Sequence, residues 1–311
     1  MSFGHFALPY EDDAQFFGTA LPFLAEGAAR GDTMFAVTSP RKRELLAAEL
    51  GDAVQMLDQA VFYEHPMRII AKVLGQWEEG AAEGRGLRIL GEPHWAEWGR
   101  LEILEWQRLE ALVNLVFAGT DASFMCPYDL ENLPLEILEA ARRTHPVSAH
   151  GRFRRENPGY LEPETFSAMC DRIPLAPAPE SSTAMPVFSP DMRDLRALVA
   201  VHARQYGLSG GSLHQLLVAV TEVATNALRH GTPPIVLRLW PDGDELVCEV
   251  ADEGHWEPEE SAGPGLVPPN PAKTGENPRL GLWAVRMLCD IVQVRTGPTG
   301  TRIRIRTPLC A

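Results

Sequence analysis

The chain has 311 residues, 45% hydrophobic and 23% charged, the balance of an ordinary globular protein with room for two cores. A formal net charge of −14 argues against a general nucleic-acid or acidic-membrane binder, since both require a basic surface. Five scattered cysteines (Cys126, Cys170, Cys248, Cys289, Cys310) have neither paired nor metal-ligand spacing and are read as reduced packing residues.

Phe3 to Tyr10 reads as a short strand or loop, followed by the acidic cap Glu11-Asp12-Asp13. That acidic run interrupts any secretory leader, and no segment reaches the length of a membrane span, so a cytoplasmic protein is expected. A helix from Ala14 to Arg30 closes at Gly31. Strands at Thr33–Thr38, Val54–Leu57, Leu87–Gly91 and Ala122–Cys126 then alternate with helices at Arg41–Leu50, Met67–Ala82, Arg100–Ala118 and Leu135–Arg143, and His145–Ala149 closes the series. Such alternation predicts a doubly wound, mostly parallel α/β sheet covered on both faces.

Sites in such sheets lie beyond the carboxyl ends of the strands. The turn Thr38-Ser39-Pro40-Arg41-Lys42-Arg43 has no glycine with which to wrap a phosphate and is read as a non-nucleotide turn. Other strand ends carry Glu92, His94 and Trp95, then Tyr128 and Asp129. These either cap and pack or line an aromatic ligand pocket.

Ile173 to Pro186 has the proline, alanine and serine content of an extended linker. Domains are therefore expected at 1–172 and 188–311, with a linker over 173–187. A helix follows from Met192 to Tyr206, and Ser209 or Ser212 begins the next. That helix carries Glu222 and Asn226 four positions apart on one side, and Gly231 ends it where a left-handed residue is tolerated. A carboxylate and a carboxamide one turn apart suit proton transfer and a hard cation near a phosphate chain.

Strands over Ile235–Trp240 and Glu245–Asp252 flank the hairpin turn Asp242-Gly243. Asp252 ends its strand beside Gly254. There it can accept a bond from the exocyclic amine of adenine while the glycine admits the base. His255 to Pro278, rich in Gly and Pro, has the length of a mobile lid. Leu280 to Val285 opens a helix with Gly281 at its amino end, a place favourable to anions. Ile291–Arg295 and Thr301–Thr307 are closing strands, and Arg302, Arg304 and Arg306 read as the solvated face of an edge strand.

Two resemblances follow. Phe3-Gly4-His5-Phe6-Ala7-Leu8-Pro9-Tyr10, Gly91-Glu92-Pro93, Cys126-Pro127-Tyr128-Asp129 and Asn157-Pro158 with Tyr160 resemble the MEDS sensory domain over about residues 3–165. That resemblance implies a signal-sensing domain, with His5, Glu92 and Tyr128 as the residues to suspect and an unidentified small-molecule signal. Glu222-x-x-x-Asn226, Asp252-x-Gly254, Gly281-Leu282 and Gly300-Thr301 resemble the boxes of the GHKL (Bergerat) ATP-binding fold. Thr221 to Ala227 with Arg229-His230-Gly231 is most similar to its anti-sigma-factor serine-kinase branch.

The second resemblance implies an α/β sandwich with a mixed sheet and a site for ATP and Mg2+. Glu222 would be the general base and Asn226 the magnesium ligand. His230, Asp252, Gly254, Gly281, Leu282 and Thr301 would surround the nucleotide. Implied partners are a sigma factor and a STAS-type antagonist phosphorylated on Ser or Thr, with homodimerisation usual in that branch. Trp256 and Arg279 depart from the pattern, standing where glycines are expected. A degenerate partner-binding module is the alternative. A sensor histidine kinase fits less well, because a proline-rich segment, and not a phosphoacceptor helical hairpin, precedes the ATP-binding half.

Overall fold

The computed structural model describes residues 3–255 and 280–309. The chain divides into two compact units between Phe166 and Ser167.

In the first unit the order is β1 (Gly4–Tyr10), α1 (Asp13–Arg30), β2 (Thr33–Val37), α2 (Pro40–Leu50), β3 (Gln55–Leu57), α3 (Gln59–Phe62), α4 (Pro66–Ala82), β4 (Leu87–Gly91), α5 (Arg100–Val116), β5 (Ala122–Asp129), α6 (Leu135–Thr144), β6 (Val147–His150) and β7 (Phe153–Glu156). Helix α7 (Pro163–Asp171) straddles the division. The seven strands form one sheet in the order β3-β2-β4-β5-β1-β6-β7, parallel except for the β6–β7 hairpin. Local chemistry sets the first helix. The Asp12 carboxylate accepts from the Gln15 N–H at 2.8 Å, and Gly31 closes the helix at φ 75°.

The strand pleat divides the residues that matter. Leu8 and Tyr10 of β1 and Met125 of β5 pack with Phe16, Phe23 and Leu24 of α1. His5, Ala7 and Cys126 alternate with them and face the other side of the sheet.

The second unit contains β8 (Thr183–Pro186), α8 (Arg193–Gln205), α9 (Gly210–His230), β9 (Val236–Asp242), β10 (Glu245–Asp252), α10 (Leu280–Leu288), β11 (Ile291–Gly297) and β12 (Gly300–Pro308). Its sheet runs β11-β12-β10-β9-β8. The resemblance implied a mixed sheet, but every pairing among the described strands is antiparallel. Two-residue loops join β9 to β10 and β11 to β12, and so short a connection permits only antiparallel neighbours. Apolar stripes on α8 (Leu195, Val199), α9 (Leu216, Val220, Val223) and α10 (Val285) bury themselves with Leu237, Leu239, Val250 and Ile305 of the sheet.

Three features differ from the reading of the residues. Thr183–Pro186, taken as part of an extended linker, is an edge strand paired with β9. Strand β12, taken as an edge, lies between β11 and β10. Arg304 is buried and paired with Glu249, and Arg306 binds Glu245 and Asp242, while Arg302 alone of the three is exposed. Finally, Gly231 caps α9 in an extended conformation, φ −82° and ψ 176°, and not a left-handed one. A Cβ there would sit 2.6 Å from the Ala227 carbonyl oxygen and 2.7 Å from Asp252 Cγ, so closeness, and not backbone hand, demands glycine.

Candidate functional site

In the second unit the apolar face of α9 turns inward and leaves Glu222 and Asn226 half-buried on one side. The Glu222 carboxylate lies against Gly281 at the start of α10, filling the space a Cβ would take. Asn226 Nδ2 is buried with no hydrogen-bond partner among the described residues.

Asp252 ends β10 beside the carboxyl end of α9. Its Oδ1 accepts from the Thr232 N–H at 3.2 Å and the Gly254 N–H at 2.7 Å. Thr301 Oγ1 donates to the Gly254 carbonyl at 2.9 Å and lies 3.1 Å from Thr296 Oγ1. Gly300, at φ 106°, packs against the Asp252 backbone. The structure therefore brings Asp252, Gly254 and Thr301 into one bonded group, and Glu222 and Gly281 into contact. His230 is exposed at the end of α9, and Leu282 is buried in the core, so only its backbone is free to face a ligand. Trp256, Arg279 and the lid expected over 255–278, apart from His255, lie outside the described residues.

In the first unit Glu92 stands apart from His5 and Tyr128, which meet through His145. Glu92 follows β4 and accepts from Tyr10 Oη at 2.5 Å, Lys42 Nζ at 2.7 Å and the Thr38 hydroxyl. Lys42 also donates to Tyr10 Oη at 2.7 Å and stands 4.3 Å from the centroids of the Tyr10 and Phe16 rings. The turn Thr38–Arg43 thus serves the Glu92 carboxylate. Burial, reinforced by the adjacent Glu92 charge, holds the Tyr10 phenol far above its ordinary pKa.

His5 belongs to a different group. Its Nε2 lies 3.2 Å from Glu110 Oε2 on α5 and 3.5 Å from Cys126 Sγ on β5, and its ring centroid is 3.9 Å from that of His145. Burial, with the neighbouring His145, depresses the His5 pKa to about 4, and burial also pushes the Cys126 thiol up. Tyr128 touches this group through His145, with ring centroids 5.5 Å apart, and stacks near Trp95 at 6.1 Å. It also borders a cavity of about 270 Å3 shared with Arg142, Arg155 and Asn157. A smaller, apolar cavity of about 60 Å3 adjoins His5, Glu110 and Cys126, walled by Tyr63, Trp106 and Phe124.

Glu110, Cys126 and His145 escaped notice as partners of His5 because the nearest of them is 105 positions away. Only Glu110-x-x-x-Asn114 carried a local sign, since residues four apart on α5 present polar groups side by side.

Residues 4–146 match the model of the MEDS family, the methanogen/methylotroph, DcmR sensory domain. Residues 189–307 match that of the histidine kinase-like ATPase domain. Among solved structures, the chain is similar to the RsbU and RsbW domains of Rv1364c from Mycobacterium tuberculosis. That match has 19% identity over 42% of this chain and 33% of the other, with a TM-score of 0.31. The blue-light activated histidine kinase EL346 of Erythrobacter litoralis matches at 23% identity over 36% of this chain and 40% of that one, with a TM-score of 0.26. This chain thus spans well under two thirds of either protein. No curated protein matches. Among the described residues, no helix is long and apolar enough to cross a membrane.

Proposed function

We propose that this chain, a MEDS sensory half joined to a histidine kinase-like ATPase half, is a signal-controlled anti-sigma regulator that binds Mg-ATP and phosphorylates Ser or Thr on an antagonist protein. The observation that carries the reading is the pairing on α9 of Glu222, in contact with Gly281, and Asn226, whose buried amide has no partner among the described residues. An unpaired buried amide costs roughly 1–3 kcal/mol, a cost relieved when a ligand arrives. The residues fit magnesium and nucleotide on a second count. Asp252 Oδ1 is occupied by two backbone donors, which leaves Oδ2 for the amino group of adenine.

Mg-ATP, when bound, supplies the electrophilic phosphoryl group and the cation that offsets its charge. Asn226 would hold the metal through its amide oxygen, leaving Nδ2–H as a donor for a phosphate oxygen. Glu222 takes the proton of the attacking Ser or Thr hydroxyl. Gly281 leaves room for Glu222, and the amino end of α10 that it opens would favour the phosphates. Thr301 ties the Gly254 carbonyl in place, where it would support the base. The new phosphate on the antagonist adds negative charge where it meets this acidic chain, and so releases it.

The test is calorimetric titration of ATP with and without Mg2+, followed by transfer of labelled phosphate to candidate antagonists. Binding with transfer supports the kinase. Binding without transfer to any antagonist that co-purifies supports a regulator that acts by sequestration. Absence of ATP binding overturns the proposal.

A further inference from the structure

The geometry points to a buried transition-metal site in the first unit, formed by His5 Nε2, Glu110, Cys126 Sγ and His145 Nε2 and suited to Zn2+. It stands independently of the reading given to the second unit. His5 and Cys126 come from adjacent parallel strands, Glu110 from α5, and His145 from the end of α6. One donor atom from each lies within 4.8 Å of all the others, and all four residues are buried.

The spacings are those of a coordination shell. Ligands about 2.0–2.3 Å from a tetrahedral zinc stand about 3.3–3.8 Å from one another. Here His5 Nε2 and His145 Nε2 each lie 3.2 Å from Glu110 Oε2, and Cys126 Sγ lies 3.5 Å from both His5 Nε2 and Glu110 Oε2.

The surroundings turn both imidazoles the same way. Asn114 Nδ2 donates to the carbonyls of Glu110, Ala111 and Thr144, which fixes its amide so that Oδ1 accepts from His5 Nδ1–H at 3.1 Å. His145 Nδ1–H donates to the Ala141 carbonyl at 3.0 Å. Each ring is then left with its Nε2 lone pair aimed at the Glu110 carboxylate, and His145 Nε2 has no hydrogen-bond partner among the described residues despite its closeness. Two lone pairs and a carboxylate converging in a buried space repel unless a cation lies between them. Histidine ligands held through Nδ1 by a carbonyl or amide oxygen are the usual outer support of a zinc site.

Charge selects the class of ion. A divalent ion balances one carboxylate and one thiolate, giving a neutral centre that the buried space tolerates. The thiol gives up its proton to solvent on binding. The mixed imidazole, thiolate and carboxylate set suits Zn2+ and excludes the oxygen-seeking Mg2+ and Ca2+.

The full chain, purified without a tag, would be loaded with Zn2+, desalted and assayed for metal by mass spectrometry. After stripping with a chelator it would be titrated with Co2+, which reports geometry and sulfur ligation by its spectrum. The expected result is one ion per chain, tetrahedral cobalt bands in the visible and a thiolate-to-cobalt charge-transfer band. Cys126→Ser should lose the charge-transfer band, and His145→Ala should weaken binding by more than about 100-fold, beyond an outer-shell effect. Absence of stoichiometric uptake by the wild-type chain overturns the site, whatever the variants do. So does a cobalt spectrum without charge transfer, or one unchanged in Cys126→Ser.

Discussion

Arg304 and Glu249 stand directly opposite one another on β12 and β10, joined by guanidinium bonds of 2.6 and 3.1 Å to one carboxylate oxygen, with both side chains buried. The guanidinium also donates to the Ala176 carbonyl at 2.7 Å and stacks 4.9 Å from the Trp240 ring centroid. Removing one member strands a charge in the sheet. Arg304→Met should therefore destabilise the second unit by about 3–5 kcal/mol, and the double change Arg304→Met with Glu249→Leu should recover most of it. Urea unfolding of the two variants checks this, and a double variant no more stable than the single would contradict it.

Glu222→Ala removes the proposed base without touching the Asp252 group. Phosphoryl transfer should fall by about 10²–10⁴-fold while ATP affinity stays within a few-fold, because the adenine contacts proposed for Asp252 are untouched. Single-turnover assays paired with calorimetry separate these effects. Transfer at the wild-type rate would remove Glu222 from the chemistry.

Gly231 offers a sharper test because its backbone is one any residue can adopt. With Ala227 O and Asp252 Cγ crowding the position, Gly231→Ala should cost about 1–3 kcal/mol and weaken ATP binding by displacing Asp252. Gly231→Asn should be worse still. A left-handed cap would give the opposite order, since asparagine tolerates that conformation better than alanine. Thermal unfolding of the pair decides.

Tyr10 makes the first unit sensitive to alkali. Its folded pKa is raised above the ordinary value of 10.0 by burial and by Glu92. The native phenol thus keeps its proton at pH values where the unfolded chain has released it. The resulting stability is fully present below that ordinary value and is lost as pH rises past it. Urea midpoints from about pH 9 to about pH 11 should fall more steeply for wild type than for Tyr10→Phe. Equal slopes would show that Tyr10 is not the group responsible.

Much of this architecture was legible because its signals are local. The apolar face of α9, the Gly243 turn and the alternating strands and helices of the first unit each reside in a short window. The boxes at Glu222 to Asn226, Asp252 to Gly254, Gly281-Leu282 and Gly300-Thr301 are likewise each confined to a few neighbouring positions. What could not be read depends on neighbours distant in the chain. Arg302, Arg304 and Arg306 have the polar alternation of a solvated strand face. Only what packs over the strand buries Arg304, with Glu249 directly opposite, the Ala176 carbonyl and the Trp240 ring around its guanidinium, while Arg302 on the same face stays exposed. The glycine at 231 signalled a helix end correctly, but the reason lies at Asp252. His5 was legible as a suspect, whereas Glu110, Cys126 and His145 become its partners only once the sheet and two helices assemble.

The short strand β8 bears on how the second half can be handled in isolation. Its residues Thr183–Pro186 occupy the outer hydrogen-bonding rim of β9, and the Val187 N–H extends the ladder to the Ile235 carbonyl at 2.8 Å. A fragment cut to the matched span of 189–307 would strip that rim. Leu237 and Leu239 would then sit on an unguarded strand, open to pairing with the next copy and to growth of aggregates. Starting the fragment before Thr183 keeps the rim occupied, with Pro186, which lacks an N–H, as a natural stop to further strand addition.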